Sequence, residues 1–194
     1  DEKLIIQNVC VFAASSSKID KTYMDAAEQL GALLARQHWT LIYGGGQNGL
    51  MGVLARAVHA HGGRVTGVIP EQLRGFELAY EGCDELIETE NLVERKAVMA
   101  ERADAFIALP GGFGTLDETL EILTQRQLWY HQKPVVFLNV NGVYDGLVRF
   151  FETLIAEGFI SPDHRHLYHV STDVEEAVSY LAAYEPTVPH AKWF

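Results

Sequence analysis

Short apolar runs rich in β-branched residues alternate with amphipathic helical periods along almost the whole chain. Residues 8–14 (NVCVFAA) form a continuous apolar stretch of strand length, as expected of a strand buried on both faces. A helix follows over 21–37, with Ala27, Leu30, Leu33 and Leu34 on one face. The pattern then predicts a strand over 39–43, a helix over 50–61 closed by Gly62-Gly63, and a strand over 64–69 stopped by Pro70. Residues 71–82 carry no clear period and read as an irregular loop. Beyond them come strands over 84–88, 105–109, 134–140 and 168–170, interleaved with helices over 92–102, 116–129, 144–157 and 174–183.

This alternation predicts an α/β chain of the Rossmann-like three-layer kind, a mostly parallel sheet with helices on both faces. The 194 residues fit one nucleotide-binding domain over 1–194, with loose ends over about 1–7 and 185–194, the latter carrying Pro186 and Pro189. In such sheets ligands sit at the carboxyl ends of the strands, near the point where strand order reverses. Three strand ends are followed by small residues: Ser15-Ser16-Ser17, Gly44-Gly45-Gly46 and Pro110-Gly111-Gly112.

Composition narrows the ligand. The net charge is −11, which argues against a nucleic-acid partner, because such affinity rests on cations facing phosphates. A single small phosphate needs only backbone N–H groups and stays compatible. No apolar run reaches the roughly 18 residues of a membrane span, and no signal peptide is visible, although a start without Met reads as trimmed. Cys10 and Cys83 cannot form a disulfide framework, which fits a reducing cytoplasm. Three histidines lie close together at His164, His166 and His169, and two more at His59 and His61. They read as solvated loop or helix-end residues, and no metal or other cofactor is expected.

The glycine loops carry the chemistry. Gly44 to Gly49 (GGGQNG) matches G-x-G-x-x-G between a strand and a helix. A dinucleotide reading would place an acid at the end of the next strand, and the sole candidate, Glu71, lies beyond Pro70. These glycines serve either a ligand or close helix–strand packing. The second loop, Pro110 to Glu118 (PGGFGTLDE), runs from a strand into a helix. Its glycines remove Cβ atoms that would hold a phosphate off the backbone. The helix start then supplies unpaired N–H groups, with Thr115 adding a hydroxyl. Thr115-x-x-Glu118 is equally a capping box. Leu92, Arg95, Met99 and Arg102 share one helical face, so the arginines either snorkel to surface acids or face an anion. Asp117 and Glu121 read as solvated acids near the helix start.

Together these segments resemble the Lonely Guy (LOG) family of cytokinin riboside 5′-monophosphate phosphoribohydrolases, often labelled as lysine decarboxylases. The loop 110–118 is similar to the family's P-G-G-x-G-T-x-x-E, and Arg95-Lys96-Ala97-Val98-Met99 to its R-K-x-x-M. Gly44 to Gly52 resembles its G-G-G-x-x-G-L-M-G, Gly67 to Pro70 its G-V-I-P, and Ser15-Ser16 its Ser-rich first turn. The resemblance spans about residues 8–183. The chain departs from the family pattern at Leu92-Val93, where Met-His is common, and at Ala13-Ala14-Ser15. The resemblance implies hydrolysis of the N-glycosidic bond of adenosine 5′-monophosphates, plain or N6-substituted, through an oxocarbenium-like transition state. It implies catalytic roles for Arg95 and Glu118. It implies substrate or phosphate contacts for Gly111, Gly112, Gly114, Thr115, Ser15, Ser16, Gly45, Gly46 and Lys96. It also implies a homodimer. The competing reading is a nucleotide or cofactor carrier on the same scaffold. A pyridoxal phosphate decarboxylase would need a Schiff-base lysine, and nothing marks Lys96 as one.

Overall fold

Seven short strands form one wholly parallel sheet in the computed structural model, which describes residues 4–186. They are β1 (Asn8–Phe12), β2 (Thr40–Tyr43), β3 (Val65–Pro70), β4 (Glu85–Thr89), β5 (Ala105–Ala108), β6 (Val135–Leu138) and β7 (His169–Ser171), in the order β4-β3-β2-β1-β5-β6-β7. The helices are α1 (Lys21–Arg36), α2 (Gly49–Ala60), α3 (Glu71–Glu77), α4 (Leu92–Arg102), α5 (Phe113–Gln127), α6 (Asp145–Ala156) and α7 (Val174–Ala182).

The two-residue period of the strands sorts their side chains into two cores. Val9, Val11, Leu41 and Tyr43 point to one face, against Leu30 and Leu34 of α1, Leu54 and Val58 of α2, and Val178 and Leu181 of α7. Cys10, Phe12, Ile42 and Phe106 point to the other, against Met99 of α4 and Ile122 of α5, while Phe137 meets Phe151 of α6. Helices therefore cover both faces, as expected from sequence. Among the described residues no helix is long and apolar enough to cross a membrane.

β1 pairs with β2 on one side and β5 on the other. The chain thus reverses its direction of travel across the sheet at β1, and the crevice beyond β1 and β5 is the switch point. Three of the seven α-helices among the described residues start on a side-chain cap. Asp20 accepts from the Thr22 N–H at 2.9 Å, Asn91 from Glu94 at 2.9 Å and Asp173 from Glu176 at 2.8 Å. α5 instead starts on Gly112 with no side-chain cap.

Three expectations are corrected. Residues 71–77, read as loop, form α3, which follows Pro70 with Glu71 in its first turn. α5 begins at Phe113, three residues before the expected 116, so Thr115 lies inside the helix and the Thr115–Glu118 capping box does not form. The chain near residue 7 is not loose. The Gln7 and Asn8 N–H groups donate to Asp104 at 2.9 and 2.8 Å, and the Gln7 carbonyl accepts from Thr40 at 2.8 Å. At the other end Tyr184 is buried; residues 1–3 and 187–194, Pro189 included, lie outside the described part.

Candidate active site

At the switch point a cavity of about 410 Å³ opens over the ends of β1, β2 and β5, within the size range of small-ligand pockets. The turn after β1 supplies Ala13 to Ser16, the loop after β5 supplies Gly112, α5 adds Phe113 to Thr115, Asp117 and Glu118, and α4 adds Leu92, Arg95 and Lys96.

The serine turn is pinned from both sides. The Ala14 N–H donates to the Pro110 carbonyl at 3.2 Å, and the Ala14 carbonyl accepts from the Met51 N–H at 3.3 Å. Gly49 makes the second approach possible. It holds φ +58, and a Cβ there would sit 2.6 Å from the Ser15 carbonyl carbon and the Ser16 oxygen. The Ser16 hydroxyl accepts from the Lys18 N–H at 3.2 Å, and Ser15 and Ser16 are both exposed on the cavity wall.

Arg95 is only 6% exposed, so the choice between surface snorkelling and an inward face falls inward. Its Nε donates to the Val68 carbonyl at 2.9 Å and its Nη2 to the Gly44 carbonyl at 2.6 Å. The guanidinium thus joins α4 to β3 and to the end of β2. Gly44 admits it, because a Cβ there would stand 2.1 Å from Nη2. Arg102, on the same helix, pairs with Glu85 at 2.8 Å at the surface, the snorkelling alternative.

The glycines of the first loop divide accordingly. Gly44 lines the cavity, whereas Gly45 and Gly46, expected as substrate contacts, are buried and not part of its wall. Gly45 holds φ +78 and packs toward Ile69, and the Gly46 carbonyl accepts from the Tyr43 hydroxyl at 2.9 Å. These two serve packing. In the second loop Gly111 lies off the cavity wall, and a Cβ on it would strike the Thr115 hydroxyl at 2.0 Å. A Cβ on Gly112 or Gly114 would meet nothing. With no side-chain cap and no Cβ at Gly112 or Gly114, the start of α5 borders the cavity with the positive end of the helix dipole. The Tyr144 hydroxyl supports this loop from below, donating to the Leu109 carbonyl at 2.6 Å.

Glu118 is half-buried and lies five residues into α5, about 7.5 Å along the axis from its start. It and Arg95 both act on the buried thiol of Cys10 beneath the cavity. Burial pushes that thiol well up, the Glu118 charge adds to the rise, and Arg95 opposes it, so Cys10 is an inert core residue. Lys96 pairs with Asp117 and Glu121, both at 3.1 Å, so these acids are ion-paired rather than simply solvated. Burial disfavours the ammonium of Lys96, but the bonds from Glu121 and Asp117 outweigh it and hold its pKa above the ordinary value. A Schiff-base lysine needs the opposite shift.

Leu73, Leu92, Met51 and Phe113 also line the cavity, and sequence reasoning assigned none of them to the site. Leu73 was hidden because α3 read as loop, and Leu92 was marked only as sharing a helical face with Arg95. Two of the histidines are accounted for locally, while the buried Nδ1 of His164 has no hydrogen-bond partner among the described residues. His59 bridges Tyr80 at 2.7 Å and Asp84 at 2.8 Å, while His169 bonds Glu176 at 2.8 Å and stacks on Tyr180. Among the described residues no group of three or more His, Cys, Asp or Glu is placed to hold a metal.

Comparison with known proteins adds a consistent picture. Residues 51–181 match the family described as "Possible lysine decarboxylase". The probable cytokinin riboside 5′-monophosphate phosphoribohydrolase LOGL9 of Oryza sativa subsp. japonica is 48% identical over 180 residues, covering 93% of this chain and 79% of its own. The cytokinin riboside 5′-monophosphate phosphoribohydrolase LOG7 of Arabidopsis thaliana is 46% identical over 187 residues, covering 96% and 86%. Among solved structures, the molybdenum cofactor carrier protein of Chlamydomonas reinhardtii superposes with a TM-score of 0.71 at 25% identity, covering 92% and 97%. The molybdenum cofactor binding protein of Rippkaea orientalis gives 0.71 at 20%, a likeness of fold.

The glycine geometry separates packing from ligand access. Gly44→Ala is expected to lower the unfolding free energy by about 1–3 kcal/mol, as overpacking does. Gly114→Ala, in a helix with open space around it, is expected to raise it by up to about 1 kcal/mol. Paired urea denaturation checks both signs.

Proposed function

The chain belongs to the family described as possible lysine decarboxylases, in which its curated relatives are cytokinin riboside 5′-monophosphate phosphoribohydrolases, and we propose that Glu118 and Arg95 carry that reaction here. The enzyme hydrolyses the N-glycosidic bond of cytokinin nucleotides, releasing free base and ribose 5-phosphate. The observation that carries the residue assignment is the shared cavity: one carboxylate, one buried guanidinium and one uncapped helix start line the same space.

The 5′-phosphate sits on the N–H groups at the start of α5, between Gly112, Gly114 and Thr115, with the Ser15 and Ser16 hydroxyls across the crevice. This grip holds the sugar so that its anomeric carbon lies further along α5, beside Glu118. As the C–N bond breaks, its electron pair leaves with the base and positive charge grows on the ribose. The Glu118 carboxylate stabilises that charge and takes a proton from the attacking water, whose oxygen forms the new bond to the anomeric carbon. The proton passes on to the departing base. Arg95 keeps the ends of β2 and β3 in place through Gly44 and Val68, and puts a fixed positive charge on the cavity wall. Lys96, paired with Asp117 and Glu121, orders the adjoining faces of α4 and α5.

The carrier reading rests on the scaffold shared with molybdenum cofactor carriers. It is the weaker, because the relatives at 45–48% identity are named as hydrolases and a carrier needs no carboxylate beside the sugar. The decarboxylase reading is opposed by the doubly paired, charged Lys96.

We also propose a homodimer through α5 and α6. Leu120, Leu147, Phe150 and Leu154 border an apolar groove of about 330 Å³, and Phe150 is 56% exposed.

Three results are expected. Glu118→Gln retains fold and phosphate binding but loses at least about a hundredfold in base release from N6-isopentenyl-AMP, followed by chromatography of free base. Near-wild-type release would remove Glu118 from the mechanism. Adenosine, lacking the phosphate, is turned over with a kcat/KM at least about a hundredfold below that of AMP. Equal values would refute the phosphate grip. Sedimentation at micromolar concentration gives twice the 21.6 kDa chain mass; a monomer would refute the dimer.

A further inference from the structure

The loop that leads into α5 is held at three successive residues, from two sides. On the β1 side the Leu109 N–H donates to the Phe12 carbonyl at 2.9 Å, and the Pro110 carbonyl accepts from the Ala14 N–H at 3.2 Å. From beneath, a single hydroxyl does the rest. Tyr144 donates to the Leu109 carbonyl at 2.6 Å, and its oxygen accepts from the Gly111 N–H. These two bonds bracket Pro110, which has no N–H of its own with which to close the turn. β5 ends at Ala108, so both groups lie past the sheet ladder.

Tyr144 is itself fixed in place. It is 4% exposed, and its ring meets Phe137 edge-on with centroids 5.2 Å apart. Its N–H donates to the Asn139 side-chain oxygen at 2.8 Å, and the Asn139 side-chain amide donates on to Asp145 at 2.7 Å. The Asn139 backbone N–H bonds the Ser171 carbonyl at 2.7 Å, which ties the group to β7. The turn between β6 and α6 is left-handed at Asn141 (φ +53) and Gly142 (φ +67), and a Cβ on Gly142 would stand 2.5 Å from the Asp145 carboxylate. Burial raises the pKa of Tyr144 and the Gly111 bond offsets this only in part, so the hydroxyl keeps the proton that Leu109 accepts. Tyr144 does not line the cavity, and its one route to the site is the loop above it.

We propose that Tyr144 is a positioning residue for the phosphate grip: by fixing the peptides on either side of Pro110 it sets where Gly112 and the start of α5 stand, and with them the preference for a 5′-phosphorylated substrate. The proposal rests on the phosphate placement above. Without the hydroxyl, the fully buried Leu109 carbonyl and the Gly111 N–H lose their partner, and the loop turns to find others. α5 then starts in a different place relative to the serine turn. A substrate gripped by its phosphate feels that displacement, whereas a nucleoside, which has no phosphate to place, does not.

The test compares wild type with three variants. Tyr144→Phe removes the hydroxyl. Asn139→Ala keeps it but frees the Tyr144 N–H, and Val170→Ala truncates the same core cluster away from the loop. One readout is the ratio of kcat/KM for AMP to that for adenosine, and the other is the Kd of ribose 5-phosphate by calorimetry. Tyr144→Phe is expected to lower the ratio and to weaken ribose 5-phosphate binding by about tenfold or more each, with adenosine turnover unchanged. Asn139→Ala moves both readouts the same way by less. Val170→Ala lowers the melting temperature and leaves both readouts at the wild-type values. Equal losses for AMP and adenosine in Tyr144→Phe overturn the proposal, because they mark a merely structural role. A wild-type Kd for ribose 5-phosphate in folded Tyr144→Phe overturns it too, and leaves the phosphate reading standing. If Tyr144→Phe does not fold, an unchanged ratio in Asn139→Ala overturns it. If wild type itself turns over AMP and adenosine alike and binds no ribose 5-phosphate, the phosphate reading fails and the positioning role falls with it.

Discussion

A buried guanidinium holds the site together. Arg95 spans from α4 to the carbonyls at the ends of β2 and β3, and taking such a charge out of water is favourable only where several acceptors meet it. Strand ends offer this naturally, because the last carbonyls of a parallel sheet have no further strand residues to bond. Gly44 then follows as a steric requirement of Arg95 rather than of a ligand. The same anchoring fixes the rotation of α4, which decides that Leu92 and Lys96 border the cavity and that Arg102 does not.

The start of α5 shows the complementary choice. Other helices close their first turn with Asp20, Asn91 or Asp173, each such cap being worth about 1 kcal/mol. α5 forgoes that stabilisation and carries a glycine in its first turn besides. Neither feature has a packing reason, since Cβ atoms at Gly112 and Gly114 would touch nothing. A helix start without a side-chain cap, flanked by glycines that leave open space, suits the anion that the proposed function places there. Gly111 differs, and its reason is internal: the Thr115 hydroxyl occupies the place of its missing side chain.

Much of this was legible in sequence, and the failures share a cause. The strands stood out because burial on both faces makes them continuous apolar runs, and the helices because one face is buried. α3 did not, since residues 71–76 bury almost nothing and so carry no period; only Pro70 and Glu71 marked its start. The capping box at Thr115 was a correct local pattern overridden by the glycines before it, which let the helix begin three residues early. The role of Gly44 against that of Gly45 and Gly46 was unreadable, because it depends on contacts with Arg95 and Ile69, far along the chain. Short-range patterns reported the scaffold, and the site is assembled from long-range ones.

The scaffold alone does not choose between holding a ligand and cleaving it. Molybdenum cofactor carriers share this fold at a TM-score of 0.71, and an anion-binding helix start at a switch point serves either purpose. What converts a grip into catalysis is a group that meets charge arising only in the transition state. A phosphate bears the same charge before, during and after the reaction, so the phosphate grip proposed for Gly112 to Thr115 binds all stages alike and cannot by itself accelerate any of them. The ribose gains positive charge only as the base departs. On the proposed mechanism, the Glu118 carboxylate, half-buried in the same cavity and in the helix proposed to grip the phosphate, is therefore the feature that distinguishes the two outcomes. On the proposed mechanism the identity of residue 118 says more about activity than the whole topology does.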